Sequence, residues 1–266
     1  MSWLTIHRGA APLILSIPHA GTDLPDEIAD LLVSPWLARK DADWWLPLLY
    51  GFAADLGATI ISTSISRTVI DVNRDPSGAS LYPGQATTGL CPVTSFDGEP
   101  LYRQGCEPDA TEINRRRVDY FEPYHAAITG ELARLKTLYE SVVLYDCHSI
   151  RSVIPRLFPD TIPQFNIGTN DGKACAPEIT ERVTKICRAD QKYTSVVNGR
   201  FKGGWITRHH GNPENGVNAI QMELACRGYM VEPEEPSPDN WPSSFDAAYA
   251  KPLQNRLKSI IESFLP

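Results

Sequence analysis

Four short stretches carry side chains that could do chemistry together. His19 closes the apolar run LILSIP, Asn73 and Arg74 follow TVIDV, His148 and Ser149 follow VVLYDC, and Glu223 interrupts the apolar run AIQMEL. Two imidazoles and a carboxylate leave one open position on a tetrahedral zinc ion, where a water loses its proton more easily. A separate carboxylate can take that proton and pass it to a leaving amine. An arginine that is not a ligand can hold a substrate carboxylate through two parallel hydrogen bonds. Singly, each residue has a plainer reading, such as a turn, a salt bridge or a hydrogen-bonded strand end. Four of them in one chain point to a hydrolytic cleft built around a divalent metal.

Those side chains need elements that deliver them. Residues 13–17 read as a buried strand ending at His19. Residues 59–62 and 68–72 read as two more strands, the second delivering Asn73 and Arg74. Residues 142–146 form a central strand that ends at Cys147-His148-Ser149, and 219–224 form a late strand bearing Glu223. Helices are expected over 36–56, with a kink or break at Pro47 and Gly57 as its cap, and over 109–139 as one long helix or a broken pair. Two more are expected over 177–189 and 244–264. Residues 75–105, rich in Gly, Pro, Ser and Thr, read as a long loop that shapes or covers a site. Residues 198–213 read as a basic, glycine-rich loop with embedded strand character. Strands alternating with helices mean one α/β domain over 1–266 with a mixed, mostly parallel sheet flanked by helices. In such sheets ligands bind beyond the carboxyl ends of the strands.

Composition narrows the partners. A net charge of -7 argues against nucleic acid, whose phosphates need a surplus of Lys and Arg. The six cysteines are scattered, with no CxxC pair, so reduced thiols in a cytoplasmic protein are expected. The apolar stretch near the N-terminus is too short for a signal sequence or a membrane span. Neither a GxSxG elbow, an HExxH helix, a P-loop nor a GxGxxG turn occurs, so serine hydrolase and nucleotide-binding chemistry have no support.

Longer blocks carry a family resemblance. SIPHAG at 16–21, DADW at 41–44, SRTVIDVNR at 66–74, LYPGQATTGLCP at 81–92, GEPLYRQG at 98–105, YDCHSIRS at 145–152, NGRFKGGWITRHHGNP at 198–213 and QMELA at 221–225 resemble N-formylglutamate amidohydrolases over nearly the whole chain. That family is similar to the zinc carboxypeptidases and succinylglutamate desuccinylases. The resemblance therefore implies a zinc-carboxypeptidase-like (phosphorylase/hydrolase-like) fold, one divalent metal ion, zinc by preference, and hydrolysis of N-formyl-L-glutamate to formate and L-glutamate in histidine degradation. It implies His19 and His148 as metal ligands, Glu223 as the base, and Asn73 and Arg74 as a grip on substrate carboxylate. Carboxypeptidases place a Glu ligand three residues after their first His; here Thr22 stands in that place. The missing carboxylate is expected from Asp43, with Asp41 and Asp23 behind it, and Asp146 is expected to orient a ligand from outside the metal's own shell.

The substrate carries two carboxylates, so a second cation is needed. Arg151, Arg200, Lys202 and Arg208 are the candidates, with His209 or His210 available to the substrate or its oxyanion, and with Thr87, Thr88 and Gly89 placed to close over the ligand. The expected assembly is a monomer or homodimer. A different acyl group on the same site, or a non-catalytic amino-acid-binding protein on the same fold, are the competing readings. Glu223 and both histidines speak against the latter.

Overall fold

Strands β2 (Leu13–Ile17) and β4 (Val142–Ile150) are buried along their whole length, as apolar runs should be when both faces of a sheet are covered. They lie inside a seven-stranded mixed sheet in the computed structural model, which describes residues 3–266. Its order is β1-β3-β2-β4-β7-β5-β6, completed by β1 (Leu4–His7), β3 (Thr59–Thr63), β5 (Phe165–Gly168), β6 (Ser195–Val197) and β7 (Val217–Ala225). Strands β3, β2, β4 and β7 run parallel to one another, and β5 and β6 likewise. Strand β1 is antiparallel to β3, and β5 to β7. The expected single α/β domain is present.

Alternation along the strands sorts side chains between two cores. Leu13, Leu15, Val143, Tyr145, Ile220 and Met222 pack on one face. The helices there include α3 (Leu46–Leu49), α4 (Phe52–Asp55), α7 (Pro177–Cys187) and α9 (Ala247–Glu262). Ile14, Val142, Leu144 and Ala219 face the other core, against α1 (Asp26–Ala29), α2 (Pro35–Arg39), α6 (Glu122–Lys136) and α8 (Trp205–His210). The same two-residue period puts Asp146 and His148 of β4 and Gln221 and Glu223 of β7 on this second face, beyond Leu144 and Ala219. These polar side chains thus collect where β2, β4 and β7 approach their carboxyl ends. Helix α5 (Ala110–Arg116), capped by the Asp109 side chain on the Glu112 amide, runs through a π-helical turn over Arg117–Phe121 into α6, which fulfils the expectation for 109–139.

Four expectations need correction. Residues 36–56 are not one helix but the short pieces α2, α3 and α4. The Trp36 and Trp45 indoles donate to the carbonyls of Trp241 and Ser243, and Trp45 takes a left-handed φ of 65°, so tertiary contacts override helical propensity. Asp43 therefore sits in a tight connection between α2 and α3 rather than in a helical turn. Residues 68–72 are a chain of turns and not a strand. The Val69 amide donates to Ser66 O, the Asp71 amide to Leu90 O, and the buried Arg116 holds the Val69 carbonyl. Residues 198–213 contain α8 where strand character was expected. His148, finally, lies within β4 and not past its end, because β4 runs on to Ile150.

All six cysteines are free thiols. Among the described residues no helix is long and apolar enough to cross a membrane.

Candidate active site

His19 leaves the end of β2, and the Asp43 amide donates to its carbonyl at 2.9 Å, so the α2–α3 connection is pinned beside it. Strand β4 brings His148 alongside, and the Ser149 amide donates to Asp43 Oδ2 at 3.2 Å. The three side chains, all buried, turn toward one another. His19 Nδ1 and His148 Nδ1 are 3.2 Å apart, His148 Nδ1 and Asp43 Oδ2 are 3.2 Å apart, and His19 Nδ1 and Asp43 Oδ2 are 3.8 Å apart.

The opposite edges of both rings fix what these atoms are. His19 Nε2 lies 2.7 Å from Asp71 Oδ1, and His148 Nε2 lies 2.9 Å from Asp146 Oδ2. Each carboxylate takes an N–H from its imidazole, which leaves each Nδ1 as a bare lone pair. Two such nitrogens and a carboxylate oxygen, packed this closely, repel one another unless a positive charge sits among them. Tetrahedral ligands on bonds of ~2.0–2.1 Å lie roughly 3.3 Å apart, which the observed separations bracket. His19, Asp43 and His148 therefore fit a divalent cation, and they form a possible metal-binding group.

Electrostatics agree with that fit. Burial lowers the His19 pKa, and the Arg67 charge lowers it further against the pull of Asp71. Burial also acts to lower His148, but Asp146, Asp43 and Glu223 outweigh it and hold that imidazole well above its ordinary value. The cluster thus favours a positive charge among its donors, as a bound cation would supply. Asp71 is buried, which would raise its pKa. Arg74, His19 and Arg67 overcome this and hold it well below the usual carboxylate range.

Glu223 faces the cluster from β7, directly across from His148 in the β4–β7 register. Gln221 Nε2 donates to Glu223 Oε2 at 3.2 Å, and Gln221 Oε1 accepts from the Gly204 amide at 2.7 Å. Burial raises the Glu223 pKa to about 7, with the His148 charge opposing. A cleft opens over these groups, lined by His19, His148, Glu223 and Gln221, by Arg67, Arg74 and Arg200, and by Thr87, Thr88 and Tyr82 of the long loop.

The expected residues fall into two groups. His19, Asp43, His148, Glu223, Asn73, Arg74 and Thr88 come together. Arg74 donates to Thr88 O at 3.0 Å and to Thr88 Oγ1 at 3.1 Å, and so ties the long loop to the cleft. The Asn73 side chain is committed to the protein: Nδ2 donates to Asp146 Oδ2 at 3.2 Å and Oδ1 accepts from the Ile206 amide at 2.7 Å. It is a positioning residue more than a substrate grip. Gly204 packs so closely on it that a Cβ there would lie 2.4 Å from Asn73 Nδ2.

The others lie elsewhere. Arg151 pairs with Asp97 at 2.6 Å and Asp41 at 3.4 Å and lines a separate cleft, which also removes Asp41 from the metal cluster. Asp23 forms a backbone bridge to Ile65 and is outside the cluster. Lys202 is exposed and paired with Asp171 at 3.1 Å. Arg208 donates to Gly203 O at 2.8 Å and lies over the Tyr82 ring, while His209 stacks on Trp205. Their own neighbours satisfy them, which composition alone could not reveal. Arg67, Asp71 and Gln221 are the site residues that sequence reasoning passed over. The spacing of Arg67 and Asp71 within SRTVIDVNR, and of Gln221 two before Glu223, was the available signal.

His210 also lies outside the cleft. Its Nε2 sits 2.9 Å from His125 Nδ1, and His125 Nε2 sits 2.8 Å from Val72 O. A carbonyl can only accept, so His125 is protonated at Nε2 and receives the His210 N–H at Nδ1. Burial, chiefly, lowers His125 to about 4 and His210 to about 3. Both folded values lie below the unfolded one, so the neutral pair stabilises the fold fully above about pH 6.5 and progressively less as pH falls toward those values. Denaturant unfolding is expected to show a loss of about 2 kcal/mol per histidine between about pH 7.5 and about pH 5. The His125→Gln variant should lose much of that slope, and an equal slope in both proteins would refute the assignment.

Comparison with known proteins gives a consistent picture. The family model for N-formylglutamate amidohydrolase matches residues 11–230. The N-formylglutamate deformylase of Pseudomonas putida is 43% identical over 262 residues, covering 98% of this chain and 95% of that protein. The N-formylglutamate deformylase of Pseudomonas aeruginosa is 44% identical over 262 residues, covering 98% and 96%. Among solved structures, N-formylglutamate amidohydrolase from Ralstonia eutropha superposes with a TM-score of 0.79 at 25% identity, covering 98% of this chain and 96% of that one. A gene product of Agrobacterium tumefaciens shares the fold, with a TM-score of 0.73 at 16% identity, covering 99% and 95%.

Proposed function

The chain belongs to the N-formylglutamate amidohydrolase family, and from that membership we propose that it hydrolyses N-formyl-L-glutamate to formate and L-glutamate. The observation that carries the mechanism is the convergence of three bare donors, His19 Nδ1, His148 Nδ1 and Asp43 Oδ2, opposite the carboxylate of Glu223.

A divalent ion held by His19, His148 and Asp43, zinc by the nature of these donors, would supply Lewis acidity to the formyl oxygen and acidify the attacking water. Glu223 accepts the water's proton and later delivers it to the departing amine, a task suited to a carboxylate whose pKa burial has moved toward neutrality. Arg67, buried at the wall of the cleft, faces negative charge developing on the formyl oxygen. Arg74 takes the α-carboxylate, since its contact with Asp71 at 3.5 Å keeps it next to the His19 end of the site. Asp71 and Asp146 hold the two imidazoles in the tautomer that presents Nδ1.

A carboxypeptidase-like ancestry is supported by the mixed sheet, with ligands after β2 and on β4 and the base on β7. We place the reaction at the end of a histidine-degradation route in the cytoplasm, on family membership and on the free thiols. The test measures metal content and formate release together. Formate release from N-formyl-L-glutamate should stop with a chelator and return with zinc. Undiminished release from metal-free protein would overturn the metal's role, and a fully metallated protein that releases no formate would overturn the substrate.

A further inference from the structure

Three guanidinium groups line the cleft, and they differ in how their charge is met. Arg67 donates to Asp71 at 2.6 Å and lies 3.8 Å from Asp43, and Arg74 lies 3.5 Å from Asp71. Arg200 has no ion pair with any Asp or Glu among the described residues. Its Nε donates to the Leu157 carbonyl at 3.1 Å and its Nη2 to the Ala86 carbonyl at 2.8 Å. Two aromatic rings frame it, with centroids 5.5 Å away for Tyr82 and 5.4 Å for Phe201. Carbonyl dipoles and rings fix the direction of the group without cancelling its charge. Burial, chiefly, pulls its pKa down, and the like charge of Arg74 adds to that against the opposing pull of Tyr82 and Glu223. A half-buried cation left without a counter-ion on the wall of a binding cleft is set to receive an anion from the ligand.

We propose that Arg200 is the specificity-determining residue for the substrate's distal carboxylate, selecting N-acyl amino acids whose side chain ends in a second acid. The inference rests on the deformylase reading and deepens it. In N-formyl-L-glutamate the α-carboxylate is on the carbon that bears the formamido nitrogen, and the side-chain carboxylate is two methylenes further away. Arg74 is joined through Asp71 to the metal-binding His19, so it meets the nearer acid. Arg200 is joined instead to Ala86 and Leu157, remote from the histidines in the hydrogen-bond network, so it meets the farther one. Its bond to Ala86 also makes the long loop part of the recognition. Of the other cations considered for this role, Arg151 and Lys202 are paired with Asp97 and Asp171, and Arg208, which bonds the Gly203 carbonyl, is not among the residues that line the cleft.

The test compares kcat/KM on N-formyl-L-glutamate and on N-formyl-L-glutamine, which has the same shape without the distal charge. Wild-type enzyme is expected to favour the acid by about 10²-fold or more, the scale of an unpaired buried charge. Arg200→Gln should bring that ratio close to one, chiefly through loss on N-formyl-L-glutamate. Arg200→Lys, which keeps the charge but not the fork, should recover part of the preference. Arg74→Gln should lower both substrates to a similar degree. A preference unchanged in Arg200→Gln, or equal losses on both substrates in Arg200→Gln and Arg200→Lys with metal still bound, would overturn the assignment. Wild-type enzyme that releases formate from neither compound would overturn the deformylase reading itself, and this inference with it.

Discussion

Replacing Glu223 with Gln is expected to lower kcat for formate release by roughly 10³-fold while metal content stays at the wild-type level. The substitution keeps size and most packing and removes only the ability to carry a proton. Glu223 is not among the three clustered donors, so nothing in the metal site should change with it. KM should move little, because no substrate-binding group is lost. The pH profile supplies a second readout. In the metal-free protein the carboxyl sits at about 7, burial being the largest cause. A bound divalent cation attracts the carboxylate form, so the acid limb of kcat/KM should fall below that value in the loaded enzyme. That limb should vanish in Glu223→Gln. Turnover close to wild type in a fully metallated Glu223→Gln protein would sink the assignment of the base.

The second large effect concerns the ligand that the sequence left open among three aspartates. Asp43→Ala and His148→Ala are each expected to abolish metal retention through gel filtration. Their effect should exceed the roughly 10–100-fold typical of changes to groups that merely support a ligand. Asp41→Ala should keep its metal, because Asp41 accepts the Phe96 amide and pairs with Arg151 outside the cluster. Elemental analysis of the three variants separates the cases directly. Metal retained by Asp43→Ala at wild-type stoichiometry would move the third ligand elsewhere.

Much of this architecture was legible because the central strands are short apolar runs that stop at functional side chains. LILSI, TIIST, VVLYDCHSI and VNAIQMELA became β2, β3, β4 and β7, close to where periodicity put them. The pairing of His148 with Glu223 followed from the register, which no linear pattern states. Residues 68–72 misled, since TVIDV has strand composition yet folds as turns. The turns bury Asp71 behind the cleft, where it bonds both His19 and the neighbouring Arg67. The four-residue β5 and three-residue β6 are too short to carry periodicity of their own. Among the cations, only three-dimensional neighbours could separate Arg200 from Arg151, Lys202 and Arg208. All four look alike as letters, but two are paired with carboxylates and, of the four, Arg200 alone lines the cleft.

Gly204 has no side chain to react, bind or titrate, yet the packing gives it a hold over the centre. A methyl group there would push directly into Asn73, the residue that joins Asp146 to the amide of Ile206. Asp146 in turn steadies His148, so the displacement would pass through two side chains to a metal-binding nitrogen. A survey of harmful variants that scores positions by charge or nucleophilicity would overlook it. Loss of the catalytic centre, in this protein, can begin at a residue whose missing side chain contributes by taking up no room.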